Sequence, residues 1–306
     1  MKEINQTSVF DIVIIGFEGP LKFRILMSVL IFLFYLMTLG MNSLIIVLVS
    51  ISHRLHSPMY FFLCHLSITD IIVTSSIVPY LLYVTLLDRG TISLSNCLAQ
   101  FFFFGIAIDA ECLILTLMSY DRFLAICRPL HYMSVMSLKL QILLTTSCWF
   151  LSFTLALLVV CHMLTFQFCG SNVINHLFCD LHPLLNLSCS DTFVVDMEVL
   201  VAGILLTVLA FVFIVVTYIW IFYTIFGRSM ATDKQKAFST CSSHLTVVCT
   251  YYATMITNYV IPVIGMTTDL AKYISLLYTV ITPLMNPIIY TLRNREIRSA
   301  LHYYIH

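Results

Sequence analysis

Asp70, Asp109, Glu111, Asp121 and Arg122 stand where long apolar runs leave no water to receive them. Burying an ionised side chain in such surroundings is expensive, so each acid must find a donor, share a proton or hold a cation. For Asp70 and Glu111 two arrangements are open. They share a cation such as Na+, with Asn42 and Asn286 as further oxygen donors, or one of them is protonated, since two close carboxylates do not both ionise cheaply. Hydrogen bonding with a purely structural role is the plainer alternative. Asp109 could meet an amine or hydroxyl group of a ligand, or bond a hydroxyl of the fourth or fifth apolar run; the second is favoured. Asp121 and Arg122 form a charged pair at the end of the third run, and taken alone read as an anchor whose Arg snorkels to the boundary. His176-Leu177-Phe178-Cys179-Asp180 has metal-ligand residue types at a spacing too loose to specify a site, and no metal is expected there.

These residues need long helices to hold them. Of 306 residues, 60% are apolar and 10% charged, mean hydropathy is +0.99, and fifteen Lys+Arg offset fifteen Asp+Glu. Soluble domains carry about a quarter charged residues, so this is an integral membrane protein. Disorder, collagen-like repeats and a basic nucleic-acid arm are excluded, and no nucleic-acid partner is expected. At about 20 residues per crossing the chain suffices for roughly seven helices.

The first twenty residues contain Glu3, Asp11 and Glu18, and Ile12–Ile15 is too short for a signal peptide's apolar core; the run Ile25–Ile51 is expected to direct insertion. Apolar spans fall near 25–51, 58–87, 98–127, 140–164, 194–226, 237–264 and 273–292. They are continuous, unlike the alternating segments of an outer-membrane barrel. With the amino terminus outside, ten Lys or Arg lie on the inner side and five on the outer, as the positive-inside rule requires. One domain, 1–306, is expected, with an outer amino-terminal segment 1–24, a long outer loop 165–193 and a cytoplasmic tail 293–306.

The outer loop carries Cys169, Cys179 and Cys189, and Cys97 stands at the outer start of the third span. Four cysteines on an oxidising side read as two disulfides, with three possible pairings. Asn5 opens a glycosylation sequon outside the first span; Asn186 opens another beside Cys189 and is the poorer site. Phe101, Phe104, Gly105, Ile108 and Cys112 share one face of span three, and Tyr252, Met255, Ile256 and Tyr259 one face of span six. On spacing alone these are ordinary packing faces. Pro79, Pro262 and Pro287 are candidate kinks, the last a candidate hinge.

Several strings carry a resemblance. Leu55-His56-Ser57-Pro58-Met59-Tyr60 opens span two and Met118-Ser119-Tyr120-Asp121-Arg122-Phe123-Leu124-Ala125-Ile126-Cys127-Arg128-Pro129-Leu130-His131-Tyr132 closes span three. Lys236-Ala237-Phe238-Ser239-Thr240-Cys241-Ser242-Ser243-His244-Leu245 opens span six, Pro283-Leu284-Met285-Asn286-Pro287-Ile288-Ile289-Tyr290 ends span seven, and Gly40-Met41-Asn42 lies in span one. Their order and spacing resemble the olfactory receptors, a branch of the rhodopsin-like G-protein-coupled receptors, over essentially the whole chain. Phe123, Thr217-Tyr218 and Tyr251-Tyr252-Ala253-Thr254 depart conservatively from the family's usual strings.

The resemblance implies a seven-transmembrane helical bundle, all-α, amino terminus extracellular, with a short amphipathic eighth helix at the inner face, in the plasma membrane. It implies a pocket for a small hydrophobic odorant in the outer half, lined by Phe101, Phe104, Gly105, Ile108, Asp109, Cys112, Ala202, Gly203, Leu206, Tyr252, Met255, Ile256, Tyr259, Leu276 and Thr279. Tyr259 is the expected hydrogen-bond donor and Tyr252 the transmitter toward the inner side. Asp121 and Arg122 would lock the resting state; Tyr218, His244, Asn286, Pro287, Tyr290 and Lys236 complete the switch and the coupling surface for a heterotrimeric G protein of the stimulatory (Gs or Golf) type, raising cyclic AMP. Asn42, Asp70, Glu111 and Asn286 become a Na+ or proton switch, and Na+ an allosteric ion rather than a cofactor. Cys97 would pair with Cys179 and Cys169 with Cys189, which removes Cys179 as a thiolate ligand. The family usually has a small or hydroxyl residue where Asp109 stands. Val263, with no Lys or Arg near it, implies the class II branch rather than receptors for carboxylic acids.

No enzyme motif is present: there is no His-Glu-x-x-His helix and no Gly-rich phosphate loop. A transporter or channel using Asp70, Asp109 and Glu111 is the rival reading, against which stand the regular spans and the lack of a broken-helix pair.

Overall fold

The computed structural model describes residues 11–169, 171–227, 231–260 and 268–305, and within them gives the backbone alone for 231–240, 258–260 and positions 268, 269, 271, 295 and 305. Six helices are long and apolar enough to cross a membrane: Leu21–Ile51, Pro58–Leu87, Leu94–Cys127, Leu138–Met163, Phe193–Gly227 and Lys272–Arg293. The 30-residue helix Ala231–Val260 stands between the last two, and the seven form a bundle, spans one to seven in chain order. In lipid the helix satisfies its own backbone, which is why these apolar runs fold this way.

Local signals set the ends. Pro58 occupies the first turn of span two, where its missing N–H costs nothing, and the Ser93 hydroxyl accepts from the Asn96 N–H to cap span three. Span three is the axis, packed against spans two, four, five and six. Spans one and five are peripheral, and their exposed Leu, Val and Phe side chains are the surface offered to lipid. Span five contains a π-turn at Ile204–Val208 and span seven one at Leu277–Ile281, each followed by regular helix. After span seven, Asn294 Oδ1 accepts from the N–H groups of Glu296 and Ile297 and starts the helix Arg295–Ile305. This eighth helix buries Ile297 and Ala300 and exposes Tyr303.

One element departs from an all-helical reading. Three short strands cap the outer end: β1 (Asp11–Ile15), β2 (Arg89–Ser93) and β3 (Val173–Ile174), in the order β2-β1-β3. β1 runs antiparallel to β2 and parallel to β3. Ile12 and Ile14 point inward and are fully buried, so the short Ile-rich run that cannot serve as a signal sequence is a strand of period two. Gly90 is required by close approach, since a Cβ there would lie 2.7 Å from Val84 Cγ2. Disulfides join Cys97 to Cys179 and Cys169 to Cys189, tying the long outer loop to span three and to itself.

Candidate functional site

Three groups of side chains line the bundle from its middle toward its two faces. At mid-depth, Asp70, Glu111, Asn42 and Asn286 are all buried. Asn286 Nδ2 donates to Asp70 Oδ1 at 2.9 Å and to Glu111 Oε1 at 3.2 Å, so one amide bridges both acids. Asn42 Nδ2 instead donates to the carbonyls of Thr38 and Pro283, pinning span one to span seven one turn before Pro287. Among the described residues, Asp70 Oδ2, Asn42 Oδ1 and Asn286 Oδ1 remain enclosed without a hydrogen-bond partner. A pair of acids and orphaned amide oxygens suits a hard cation with oxygen ligands or a shared proton.

At the inner end, Asp121 is fully buried and accepts at 2.7 Å from the hydroxyl of Tyr132, while Arg122 Nη2 lies 3.6 Å from its other oxygen. Tyr132 sits on the helix Pro129–Val135; burial and the neighbouring Asp121 charge push its phenol up, so it stays a donor. Tyr132 belongs to a recognisable string, yet nothing in its type shows that it would fold back on Asp121. Across the bundle His244 Nε2 approaches the Leu115 carbonyl at 3.1 Å, an atom that only accepts. Nε2 therefore carries the proton, and Nδ1 accepts from the Tyr218 hydroxyl at 2.7 Å. Arg293 Nη1 reaches Thr246 Oγ1 at 3.1 Å, and Tyr60 donates to Glu296 Oε2 at 2.7 Å. Tyr290 is buried, and its hydroxyl has no hydrogen-bond partner among the described residues.

In the outer half, Cys112 Sγ lies 3.0 Å from the Leu206 carbonyl, inside the π-turn of span five, and 3.4 Å from the Tyr252 hydroxyl. Tyr252 packs on Phe211 with ring centroids 4.7 Å apart, and Tyr251 donates to the Ile108 carbonyl. Phe104 touches both Phe178 of the outer loop (5.5 Å) and Tyr278 of span seven (5.6 Å), two contacts that helical spacing did not reveal. His176 in that loop is buried: its Nδ1 donates to the Phe178 carbonyl, and its Nε2 meets Ser275 Oγ at 3.1 Å. Burial holds His176 below the usual imidazole range, against the pull of Asp180 and with the push of Lys272.

Of the expected lining, Phe104, Ile108, Cys112, Leu206, Tyr252, Met255 and Thr279 are buried in the interior, and Phe101, Gly105, Asp109, Ala202 and Leu276 are half-buried. Gly203 and Ile256 are exposed, Ile256 by 55%, so these two belong to the outside of the bundle. No span-four or span-five hydroxyl is bonded to Asp109 among the described residues; Ser152 gives its hydrogen to the Cys148 carbonyl. The side chains of Lys236 and Tyr259, together with Asn5, Pro262 and Val263, lie outside the described residues. A cavity of about 410 Å³ opens between β2 and the outer ends of spans two and three, by Tyr80, Asn96 and Phe103, and includes none of the expected lining.

A seven-helix bundle with its outer end covalently capped and its inner end closed by polar contacts around an Asp-Arg pair is a receptor-type membrane protein. Residues 31–305 match the sequence profile of the olfactory receptor family. The chain is 42% identical to Homo sapiens olfactory receptor 13A1 over 297 residues, covering 97% of this chain and 90% of that one. It is also 42% identical to Mus musculus olfactory receptor 5G29 over 302 residues, 98% and 96% of the two, and 40% identical to Homo sapiens olfactory receptor 6B1 over 297 residues, 97% and 95%. The chain belongs to the olfactory receptor family: it is a G-protein-coupled receptor, not an enzyme, and a multi-pass protein of the plasma membrane.

Proposed function

We propose that this odorant receptor takes a small hydrophobic ligand in the outer half of the bundle and catalyses GDP release from a stimulatory, Golf/Gs-type G protein, raising cyclic AMP. The observation that carries the reading is the Cys112 junction, where spans three, five and six meet through the Leu206 carbonyl and the Tyr252 hydroxyl. A ligand wedged above that junction changes the packing of span six against span three. On the same spans, nearer the inner face, stand Tyr218 and His244. Ligand binding thus biases a two-state bundle whose closed state keeps Asp121 on Tyr132 and Arg122. The freed Arg122, the 128–139 loop and the Lys236–Leu245 stretch form the G-protein contact. The apolar and aromatic lining, with few polar groups, favours volatile hydrophobic molecules of the class II type.

Asp70, Glu111, Asn42 and Asn286 fit a Na+ ion or a shared proton. An ion there would neutralise the two carboxylates, and Asn286 would orient both acids in either case.

The test is cyclic-AMP production in cells expressing the chain with its G protein, across a mixed odorant panel, beside Arg122→Ala. A dose-dependent rise that Arg122→Ala abolishes supports the reading. Ligand-driven flux or current without nucleotide exchange would replace it with the transporter reading.

A further inference from the structure

The cavity of about 410 Å³ between β2 and spans two and three has a wall that changes character with depth. Asn96, Ala99 and Phe103 of span three line it at steps of three and four, so they share one face of that helix. At 1.5 Å per residue, Phe103 lies about 10 Å deeper along the span than Asn96. Ser76 and Tyr80, one turn apart on span two, form another side, and Thr91 of β2 stands at the outer end.

The deeper polar groups of this wall are already engaged. Gln100 Nε2 donates to the Ser76 carbonyl at 2.9 Å, and Gln100 Oε1 accepts from the Cys179 N–H at 3.0 Å. The Ser76 hydroxyl donates to the Ile72 carbonyl at 2.8 Å. At the outer end the Thr91 hydroxyl and the Asn96 side-chain amide are exposed, and neither makes a hydrogen bond among the described residues. Deeper, Ala99 and Phe103 are apolar and exposed, Phe103 by 54%, on the side of span three offered to lipid. Among the described residues no Asp, Glu, Lys or Arg belongs to the lining; Arg89, two residues from Thr91 on β2, is outside it.

A molecule that suits this wall has one neutral hydrogen-bonding head at the outer end and an apolar body directed toward the middle of the membrane. A lipid of the outer leaflet already has that orientation. A phospholipid headgroup is charged and finds no charged partner in the lining, whereas a hydrophilic solute leaves Ala99 and Phe103 uncovered. A sterol carries a single hydroxyl on a rigid apolar body. It loses little conformational freedom on binding, and the plasma membrane is rich in it. We propose that this cavity binds a membrane sterol, with its hydroxyl on Thr91 and Asn96 and its ring system along Ala99 and Phe103. The site shares no residue with the expected odorant lining, and its failure leaves the signalling assignment untouched.

The test uses the full-length receptor in phosphatidylcholine nanodiscs containing a photoreactive diazirine analogue of cholesterol, with adducts mapped by mass spectrometry. Labelling is expected to concentrate between residues 76 and 103 and to be displaced by excess cholesterol. Cholesteryl methyl ether, which cannot donate a hydrogen bond, should compete about fivefold less well, the equivalent of one lost hydrogen bond. Ala99→Trp fills the apolar half and should reduce labelling of this segment to the level seen with excess cholesterol, at an unchanged melting temperature. Thr91→Val with Asn96→Leu should erase the difference between cholesterol and its ether. Adducts spread evenly over the bundle of the unaltered receptor overturn the proposal with no variant needed. So does labelling that phosphatidylserine or 1-octanol displaces as well as cholesterol does, or that persists in a folded Ala99→Trp receptor.

Discussion

The two ends of the bundle are closed by different means. Outside, two disulfides, a three-stranded sheet and the Lys272 Nζ bond to the Gly16 carbonyl hold the cap. Inside, among the described residues, closure rests on single hydrogen bonds and one loose ion pair, including Tyr132 on Asp121, Tyr218 on His244, Arg293 on Thr246 and Arg122 at 3.6 Å from Asp121. A disulfide is worth several kcal/mol, whereas a net hydrogen bond contributes about 1 kcal/mol. The outer end is thereby a fixed frame, and the inner end lies within reach of the differential affinity of one small ligand.

The contrast breaks first at the outer frame. Cys97→Ser opens a link across 82 residues and is expected to cost about 2–5 kcal/mol, removing the receptor from the cell surface in flow cytometry. Normal surface levels would mean the sheet alone holds the cap. Next, Asn286→Leu strips the common donor from Asp70 and Glu111 and should lower stability by about 3 kcal/mol, seen as a drop in melting temperature of purified receptor. An unchanged melting curve would show that some other group satisfies both acids. Tyr132→Phe deletes one bond to Asp121, worth about 1 kcal/mol, and should raise ligand-free nucleotide exchange roughly fivefold while leaving surface expression intact. Basal exchange at the unaltered level would detach Tyr132 from the switch.

The smallest effect concerns pH. Burial lowers the His176 pKa in the folded protein, so at acid pH the unfolded chain binds a proton that the folded chain refuses. Stability is then full above about pH 6.5 and falls as pH drops from there toward the lower folded value. His176→Gln should flatten that part of the melting-temperature profile, and an identical slope in the variant would place the acid sensitivity elsewhere.

Much of this was legible beforehand because the membrane simplifies the problem. Continuous apolar runs admit only helices, and charge asymmetry orients them. The positions of Asp70, Glu111 and Asn286 in separate strings were readable; that one amide would serve both acids was not, because it depends on how spans two, three and seven rotate against each other. Gly203 shows the limit more sharply. The family resemblance implied that it lines the pocket with Leu206, but the π-turn at Ile204–Val208 lies between them, and Gly203 faces outward. Tyr132 was invisible for another reason, since its contact with Asp121 spans a chain reversal that no periodicity encodes.

The strand β1 has a consequence for how the protein is made. The Asn172 side chain that bonds the Asp11 carbonyl is synthesised 161 residues after it. At 5–20 residues per second the edge of β1 that pairs with β3 waits about 8–30 s on the far side of the membrane. Quality control in the secretory pathway therefore meets this chain with one edge of its amino-terminal strand open until four spans are in place.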